Sequence, residues 1–261
     1  MPFRGAGLSP AMRDDVVAGM MRRGWLISFL IFGLSAMLRA DIVDDLMRIH
    51  IEALGGNEAV SEMRALRAIG QSDFGGQRMR FVMWAARPNR IRIESIDATR
   101  TQTQAWDGDT NPWRQTRGPT GRSAPERMTA AEAKQFSADA NFDDVLIDAR
   151  EHGGSLDYAG EGEVEGKPTQ KILVTRNFFD QTVVHLDVAT YLIVQQERVK
   201  DEGTARETHV VTRFFDYRAV AGVLLPHRLV VTSGGREWIT TTLEKVDANP
   251  LIPPDFFSMP Q

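Results

Sequence analysis

Apolar residues recur at helical spacing in some segments of this chain and in short β-like runs in others. From Asp41 to Leu54 the apolar positions recur mainly at helical spacing, and Gly55-Gly56 supplies a stop. A short second helix is predicted after Asn57, which can cap it. Its apolar face comprises Val60, Met63 and Leu66.

After Gly70 the pattern changes to short β-like runs. Residues 90–94 alternate between charged and isoleucine side chains, as expected of a strand with one buried face. Arg87-Pro88-Asn89 predicts a turn, because proline cannot donate to a strand ladder. The predicted strands are 79–84, 90–94, 101–106, 155–163, 168–176, 181–188, 191–199, 206–217, 222–233 and 236–247. Ten or eleven strands joined mostly by short loops predict an antiparallel sheet.

The stretch from Pro119 to His152 interrupts the strands. Its glycines and prolines predict a loop, and Thr129-Ala130-Ala131-Glu132 resembles a capping box at a helix start. Two helices are therefore predicted, over 126–137 and 139–150. Their apolar residues are Phe136, Phe142, Val145, Leu146 and Ile147. Such a pair could cover the apolar face of a curved sheet as a lid.

An uncharged run from Gly24 to Leu38 follows Arg22 and Arg23. A spanning helix needs roughly 20 apolar residues, so this run better fits the apolar part of a secretory signal. We expect residues 1–40 to be a signal peptide, with an uncleaved anchor as the alternative, and residues 41–261 to form one domain. Met20 or Met21 is a more typical first residue than Met1, which favours a translation start that leaves out residues 1–20.

The amino-acid composition excludes several kinds of functional site. The 261 residues contain no cysteine, which excludes disulfides, thiolate metal sites and a cysteine nucleophile. A formal net charge of −4 argues against a nucleic-acid partner. The five histidines are scattered, and the common nucleotide-binding, zinc-protease and serine-hydrolase motifs do not occur. We therefore expect no enzymatic activity, no metal and no cofactor.

A curved antiparallel sheet either fills its inner face with side chains or encloses a ligand there. The sequence leaves both alternatives open. The apolar candidates for the inner face are Phe81, Met83, Ile91, Ile93, Trp106, Trp113, Leu173, Val183, Leu186, Phe214 and Trp238.

Two stretches of the sequence resemble a known family. Met83 to Ile91, which contains Arg87-Pro88-Asn89, is followed by Trp106-Asp107-Gly108 and by Trp113. Together with the closing segment from Asn249 to Pro260, these resemble the LolA-like proteins, which carry lipoproteins across the periplasm of Gram-negative bacteria. The resemblance covers the chain from about Asp41 to Pro260.

The resemblance implies a mainly β fold: a curved antiparallel half-barrel of about 10–11 strands, with an N-terminal helix and a mid-chain helical lid over a hydrophobic cavity. It also implies that Arg87 holds the lid closed through hydrogen bonds. The residues expected at the cavity and its lid are Arg87, Met83, Ile91, Ile93, Trp106, Trp113, Phe136, Phe142 and Leu146.

The function implied is that of a periplasmic carrier that binds lipoprotein acyl chains or another lipid for delivery to the outer membrane. Its partners would be an inner-membrane transporter and an outer-membrane acceptor. A lipid-sensing regulatory module with the same cavity is the main alternative. A lipid or peptide hydrolase and a purely structural, filled barrel also remain open.

Overall fold

The computed structural model describes residues 42–138, 140–177, 180–200 and 207–260. The predicted signal peptide lies outside these residues. The first helix, α1, covers 42–54, and α2 follows as Asn57–Glu62. In mid-chain, α3 is Ala130–Ala138 and α4 is Val145–Glu151.

Within the described residues, fourteen strands form one antiparallel sheet. They are β1 Ala65–Phe74, β2 Gln77–Ala86, β3 Arg90–Ile96, β4 Thr101–Trp106, β5 Trp113–Gly118, β6 Gly121–Arg122, β7 Glu126–Arg127, β8 Ser155–Val164, β9 Lys167–Asn177, β10 Asp180–Asp187, β11 Ile193–Lys200, β12 Thr208–Val220, β13 Val223–Ser233 and β14 Arg236–Ala248. Their order across the sheet is β6-β5-β4-β3-β2-β1-β14-β13-β12-β11-β10-β9-β8, and β7 pairs with β5.

The sheet does not close: β6 and β8 stand at its two ends. It is a curved half-barrel with helices around residues 42–62 and 130–151, which confirms the predicted fold class. The two halves of the chain join where β1, which follows the N-terminal helices, pairs with the last strand, β14. The curvature gives the sheet an inner face that carries the helices and an outer face.

The predicted count of ten or eleven strands is too low. Four strands were missing from the prediction: β6 lies in the predicted loop, β7 lies at the predicted start of a helix, and β1 and β5 lie where no strand was predicted. At the other end, Leu66 belongs to β1 and not to α2, which ends at Glu62. Leu66 has an extended backbone because β1 pairs with both β2 and β14. The hydrogen bonds to these two strands override the helical spacing of Val60, Met63 and Leu66 in the sequence.

The capping box at α3 is confirmed. The Thr129 amide and hydroxyl donate to Glu132 Oε2 over 2.9 and 2.8 Å, so the helix begins at Ala130 and not at residue 126. The second mid-chain helix also begins later than predicted. Asp144 caps it by accepting hydrogen bonds from the amides of Leu146 and Ile147.

The hydrophobic core lies between α1, α4 and the inner face of β9 to β11. Its fully buried members include Met47, Leu146, Ile172, Val184 and Leu186. A tight approach at Gly55 helps to seat α1: a Cβ there would lie 2.0 Å from the Gly222 carbonyl oxygen, and φ is +127°. Only glycine fits this point, which fixes the end of α1 against the β12–β13 turn.

A second apolar cluster lies on the outer face, under the closing segment 249–260. Trp113 is 1% exposed and donates its ring N–H to the Phe257 carbonyl oxygen over 2.9 Å. The Arg92 guanidinium lies 4.7 Å from the Phe256 ring centroid, and Trp84 meets the same ring edge-on. The closing segment therefore packs against β2, β3 and β5.

Candidate ligand cavity

A cavity of about 480 Å³ lies between the inner face of the sheet and segment 141–145, which leads from α3 into α4. Its volume falls within the range of small-molecule sites, roughly 300–1,000 Å³. The sheet residues that line it are Leu66, Ala68, Phe81, Met83, Arg176, Thr182, Ile193, Gln196, Arg198, Thr212, Phe214, Tyr217, Leu225, Pro226, Leu229, Thr241, Leu243 and Val246. Residues 141–145 complete the lining.

The lining of the cavity is apolar on one side of the sheet and partly polar on the other. On β13, β14, β1 and β2 the lining side chains are apolar, with the exception of Thr241. On β9 to β12 they include two arginines, two threonines and a glutamine. Phe214 and Tyr217 stand on β12, at the border between the apolar and the polar walls.

Arg87 connects the helices to the segment over the cavity. Its Nε donates to the Met63 carbonyl oxygen over 3.1 Å, and its Nη2 donates to the Val60 carbonyl oxygen over 3.0 Å. The same Nη2 donates to Asp143 Oδ1 over 2.6 Å. The guanidinium also lies 5.2 Å from the ring centroid of Phe142. One side chain at the end of β2 thus holds both the C-terminal end of α2 and segment 141–145.

The Arg87–Asp143 pair is largely removed from water: the two side chains are 23% and 11% exposed. Burial raises the pKa of Asp143 to about 6, although the Arg87 cation acts in the opposite direction. The carboxylates of Glu151, Asp144 and Asp148 add to the rise. Asp143 therefore loses its charge near pH 6.

Beside this pair, His50 of α1 is buried between two acceptors. Its Nδ1 lies 2.7 Å from the Tyr191 carbonyl oxygen, and its Nε2 lies 3.0 Å from Asp144 Oδ2. Both nitrogens donate only when the ring is protonated. Although burial disfavours the charge, the hydrogen bond and the negative charge of Asp144 raise the pKa of His50 above its ordinary value of 6.5. Asp144 thus joins α1 to the start of α4.

Three of the nine residues predicted at the site lie at a cavity. Met83 and Phe142 line the large cavity, and Arg87 and Phe142 line a smaller adjoining pocket of about 80 Å³. Of the wider set of apolar candidates, Phe81 and Phe214 also line the large cavity.

Ile91, Ile93 and Trp106 share the inner face with Met83, because Ile93 pairs with Met83 and Ile91 pairs with Trp106. They lie on β3 and β4, beyond the cavity lining. Phe136 is partly buried on α3, outside the lining of this cavity.

Two predicted site residues belong to other parts of the fold. Leu146 is fully buried in the core between α1 and α4, while its neighbour Val145 lines the cavity. Trp113 pairs with Ala105, which pairs with Arg92, so it points to the outer face. The sequence did not show which residues of β5 face inward, because the run Trp113–Gly118 has no alternation of apolar and polar side chains.

Sequence reasoning missed the polar wall of the cavity, formed by Arg176, Thr182, Gln196, Arg198 and Thr212. In β11 the residues from Gln195 to Arg198 are polar on both faces, so no alternation marks which positions face inward. The register supplies that information, because Gln196 pairs with Val184, a fully buried core residue.

Among the described residues, no group of three or more histidine, aspartate or glutamate side chains is placed to hold a metal ion. His185 and His227, which the sequence left as scattered histidines, are each buried with their own partners, Glu197 and the Leu225 carbonyl. In the same part of the chain, no helix is both long and apolar enough to cross a bilayer.

Comparison with known proteins gives a match in structure only: no family model and no curated protein matches the sequence. A Vibrio parahaemolyticus domain described as an outer membrane lipoprotein-sorting protein aligns with a TM-score of 0.56 at 9% identity, over 82% of this chain and 95% of that chain. A DUF1329 family protein from Desulfovibrio piger gives 0.55 at 10% identity, over 83% and 97%. A LolA superfamily protein from Nitrosomonas europaea gives 0.53 at 13% identity, over 79% and 96%.

These similarities concern the fold, since all three identities are very low. The chain therefore shares its fold with a lipoprotein-sorting protein domain, a DUF1329 family protein and a LolA superfamily protein. The resemblance drawn from Arg87-Pro88-Asn89 and the closing segment is confirmed at this level.

Proposed function

We propose that this protein is a periplasmic carrier that binds the acyl chains of a lipoprotein, or another lipid, in the cavity of about 480 Å³ and releases them to an outer-membrane acceptor. The observation that carries the proposal is a cavity with a largely apolar wall, in a fold shared with lipoprotein-sorting domains. An inner-membrane transporter that loads the protein is part of the same proposal.

Burial of an acyl chain alone provides enough free energy for such a role. Each CH₂ group moved from water into an apolar site contributes about 0.8 kcal/mol, so a chain of eight to ten groups binds reversibly without any bond being made. Phe81, Met83, Leu229 and Leu243 supply the apolar wall that the chain would contact.

Arg87 would act as a latch in this scheme. It joins α2 to Asp143, and segment 141–145 forms one side of the cavity. A ligand that needs more room has to displace that segment, which breaks the Arg87–Asp143 contact. The cost of separating this partly buried pair would make the closed state the resting state in the absence of ligand.

Neighbouring threonines on β14 provide a test. Thr241 lines the cavity, whereas Thr242 is the next residue on the strand and points to the outer face. Thr241→Trp should fill part of the cavity and weaken the binding of a dansyl-labelled undecanoic acid, measured by fluorescence titration, by about tenfold or more. Thr242→Trp makes the same chemical change outside the cavity and should bind like the unmodified protein.

Equal affinities of the two variants and the unmodified protein would contradict the location of the site. Failure of the unmodified protein to bind this probe or any other acyl ligand would contradict the carrier function itself.

A further inference from the structure

One end of the sheet is a long strand with a free edge. β8 pairs with β9 on one side and is the last strand of the sheet on the other. Among the described residues, the backbone of β8 forms no hydrogen bond outside that pairing. The opposite end of the sheet differs, because β6 has only two residues. β8 is therefore long enough, and open enough, for a further strand to pair with its edge.

The exposed side chains of β8 are largely acidic. The odd-numbered residues of the strand are exposed, and they include Asp157, Glu161 and Glu163. Glu161 and Glu163 lie on the same face of the strand, because they pair with Gln170 and Pro168 of β9. Neither glutamate forms an ion pair with a described residue.

Two basic side chains of β9 lie near this part of β8, but one strand further from the edge. Lys167 pairs with Val164, and Lys171 pairs with Gly160. Paired residues on adjacent strands lie about 5 Å apart, whereas residues two strands apart are separated by roughly 10 Å. A strand added to β8 would therefore contact the glutamates directly and would lie about twice as far from the lysines.

The other face of this part of β8 has room for the side chains of a neighbouring strand. Gly160 and Gly162 pair with Lys171 and Thr169, and they carry no side chain on that face. At Gly160, no atom beyond its neighbours in the chain lies within 4 Å of the position that a Cβ would occupy. At Gly162, the Cδ of Lys171 lies 3.0 Å from that position, so the apolar stem of the lysine covers the glycine. Large apolar side chains would fit beside these two residues.

A second copy of this chain is a poor partner for the edge. Pairing of β8 with itself would bring two sets of glutamates together, and like charges on facing positions destabilise a strand pair. The backbone also bulges between Tyr158 and Gly160, which interrupts a longer pairing. Residues 160–164 instead suit a short partner strand of different sequence, basic on one face and apolar on the other.

We propose that residues 160–164 of β8 bind an extended basic segment of a partner protein, which joins the sheet as a further strand. The backbone of the segment pairs with the free edge of β8. Its lysine or arginine side chains lie beside Glu161 and Glu163, and its apolar side chains lie beside Gly160 and Gly162. No residue of β8 lines the large cavity, so this docking site is separate from the proposed lipid site.

Fluorescence anisotropy with labelled peptides tests this docking site. The probe is an octapeptide of alternating lysine and valine, blocked at both ends. We expect it to bind, with an affinity that falls as salt is added, because salt screens exposed charges. An octapeptide of alternating glutamate and valine should bind about tenfold or more weakly, since its charges repel those of β8.

A second peptide separates strand pairing from charge attraction. The lysine–valine octapeptide methylated on every backbone nitrogen keeps its positive charges but has no backbone N–H to donate. We expect its affinity to be lower by about tenfold or more, because several hydrogen bonds to the edge of β8 are lost together.

Charge variants locate the site on β8. Glu161→Gln combined with Glu163→Gln should weaken the binding of the lysine–valine peptide by about threefold to tenfold, as expected for two exposed charge pairs. Glu52→Gln combined with Glu58→Gln is the matched control, because it makes the same change at two exposed glutamates of α1 and α2. The control should bind the peptide like the unmodified protein. Thermal unfolding, followed by circular dichroism, checks that both variants are folded.

Amide hydrogen exchange, measured by mass spectrometry, shows where the peptide binds. Exchange in residues 155–164 should become slower when the lysine–valine peptide is bound, and exchange in β5 and β6 should not change. Slow exchange of residues 160–164 in the protein alone would mean that the edge is already covered, and would overturn the proposed docking site. Dependence of that protection on protein concentration would identify a second copy as the occupant, and independence would identify the chain itself.

The proposed docking site would also be overturned if the lysine–valine peptide did not bind at low salt, or if the glutamate–valine or the fully methylated peptide bound equally well. An unchanged affinity in the folded Glu161→Gln, Glu163→Gln variant would contradict it, as would binding that leaves exchange in residues 155–164 unchanged. None of these results would affect the uptake of dansyl-labelled undecanoic acid, so the carrier function is tested separately.

Discussion

At the residue scale, Arg87 is the side chain that joins α2 to the segment over the cavity. It donates to two carbonyl oxygens at the end of α2 and to Asp143 of segment 141–145. A guanidinium suits this position because its several N–H groups lie in one plane and serve partners on different elements at once. The proposed latch role depends on the contact of Arg87 with Asp143.

A double-mutant cycle measures that contact. We expect Arg87→Gln, Asp143→Asn and the double variant to be non-additive in their free energies of unfolding, with a coupling of about 1–3 kcal/mol at pH 8. The pKa of Asp143 is raised to about 6, so at pH 5 the carboxyl is mostly neutral and the coupling should shrink. The measurement is urea unfolding at both pH values.

The direction of this pH dependence follows from the sign of the shift. A carboxyl whose pKa is raised in the folded state contributes stability below its ordinary pKa of 3.8, and loses it as the pH rises through about 6. Asp143→Asn should therefore remove the loss of stability over that pH range. Additive single variants at pH 8 would argue against a latch at Arg87.

At the scale of elements, the two faces of the sheet contact different parts of the molecule. The inner face carries α1, α4 and the cavity, whereas the outer face of β2, β3 and β5 is covered by the closing segment. The aromatic residues divide accordingly: Phe81 and Phe214 line the cavity, and Trp113 and Phe257 belong to the outer cluster. The outer cluster should therefore govern stability and leave ligand affinity unchanged.

Phe257→Ala tests this division. Phe257 is fully buried, and we expect its truncation to lower the free energy of unfolding by about 3–5 kcal/mol, with the affinity for the dansyl-labelled undecanoic acid unchanged in the folded variant. Leu251→Ala, in the same segment but fully exposed, is the control and should change neither quantity. A large loss of affinity in Phe257→Ala at a temperature where it is folded would contradict the separation.

The sequence could predict the elements that local chemistry decides, but not the orientations that depend on how the strands pair. The clear alternation at 90–94 and the turn at Arg87-Pro88-Asn89 predicted β3 and the end of β2 well, since local chemistry decides them. Trp113 was predicted at the cavity but lies on the outer face, because its orientation depends on the register with Ala105. Arg198 lies in a run that is polar on both faces, so the polar wall became visible only once β11 was paired.

Considered as a whole, the molecule is an open half-barrel whose middle strands, from β2 through β1 and β14 to β9, form the cavity wall. A sheet filled with its own side chains would leave no cavity of this size at close packing. A volume of about 480 Å³ between the sheet and segment 141–145 is within the range of small-molecule sites, as the proposed carrier function requires.

The most direct test is native mass spectrometry, combined with lipid extraction, on the protein purified from the periplasmic extract of a Gram-negative host. We expect a bound amphiphile that is present on Thr242→Trp and absent or strongly reduced on Thr241→Trp. A protein that carries no ligand, and that also fails to take up an added fluorescent fatty acid, would contradict the carrier function.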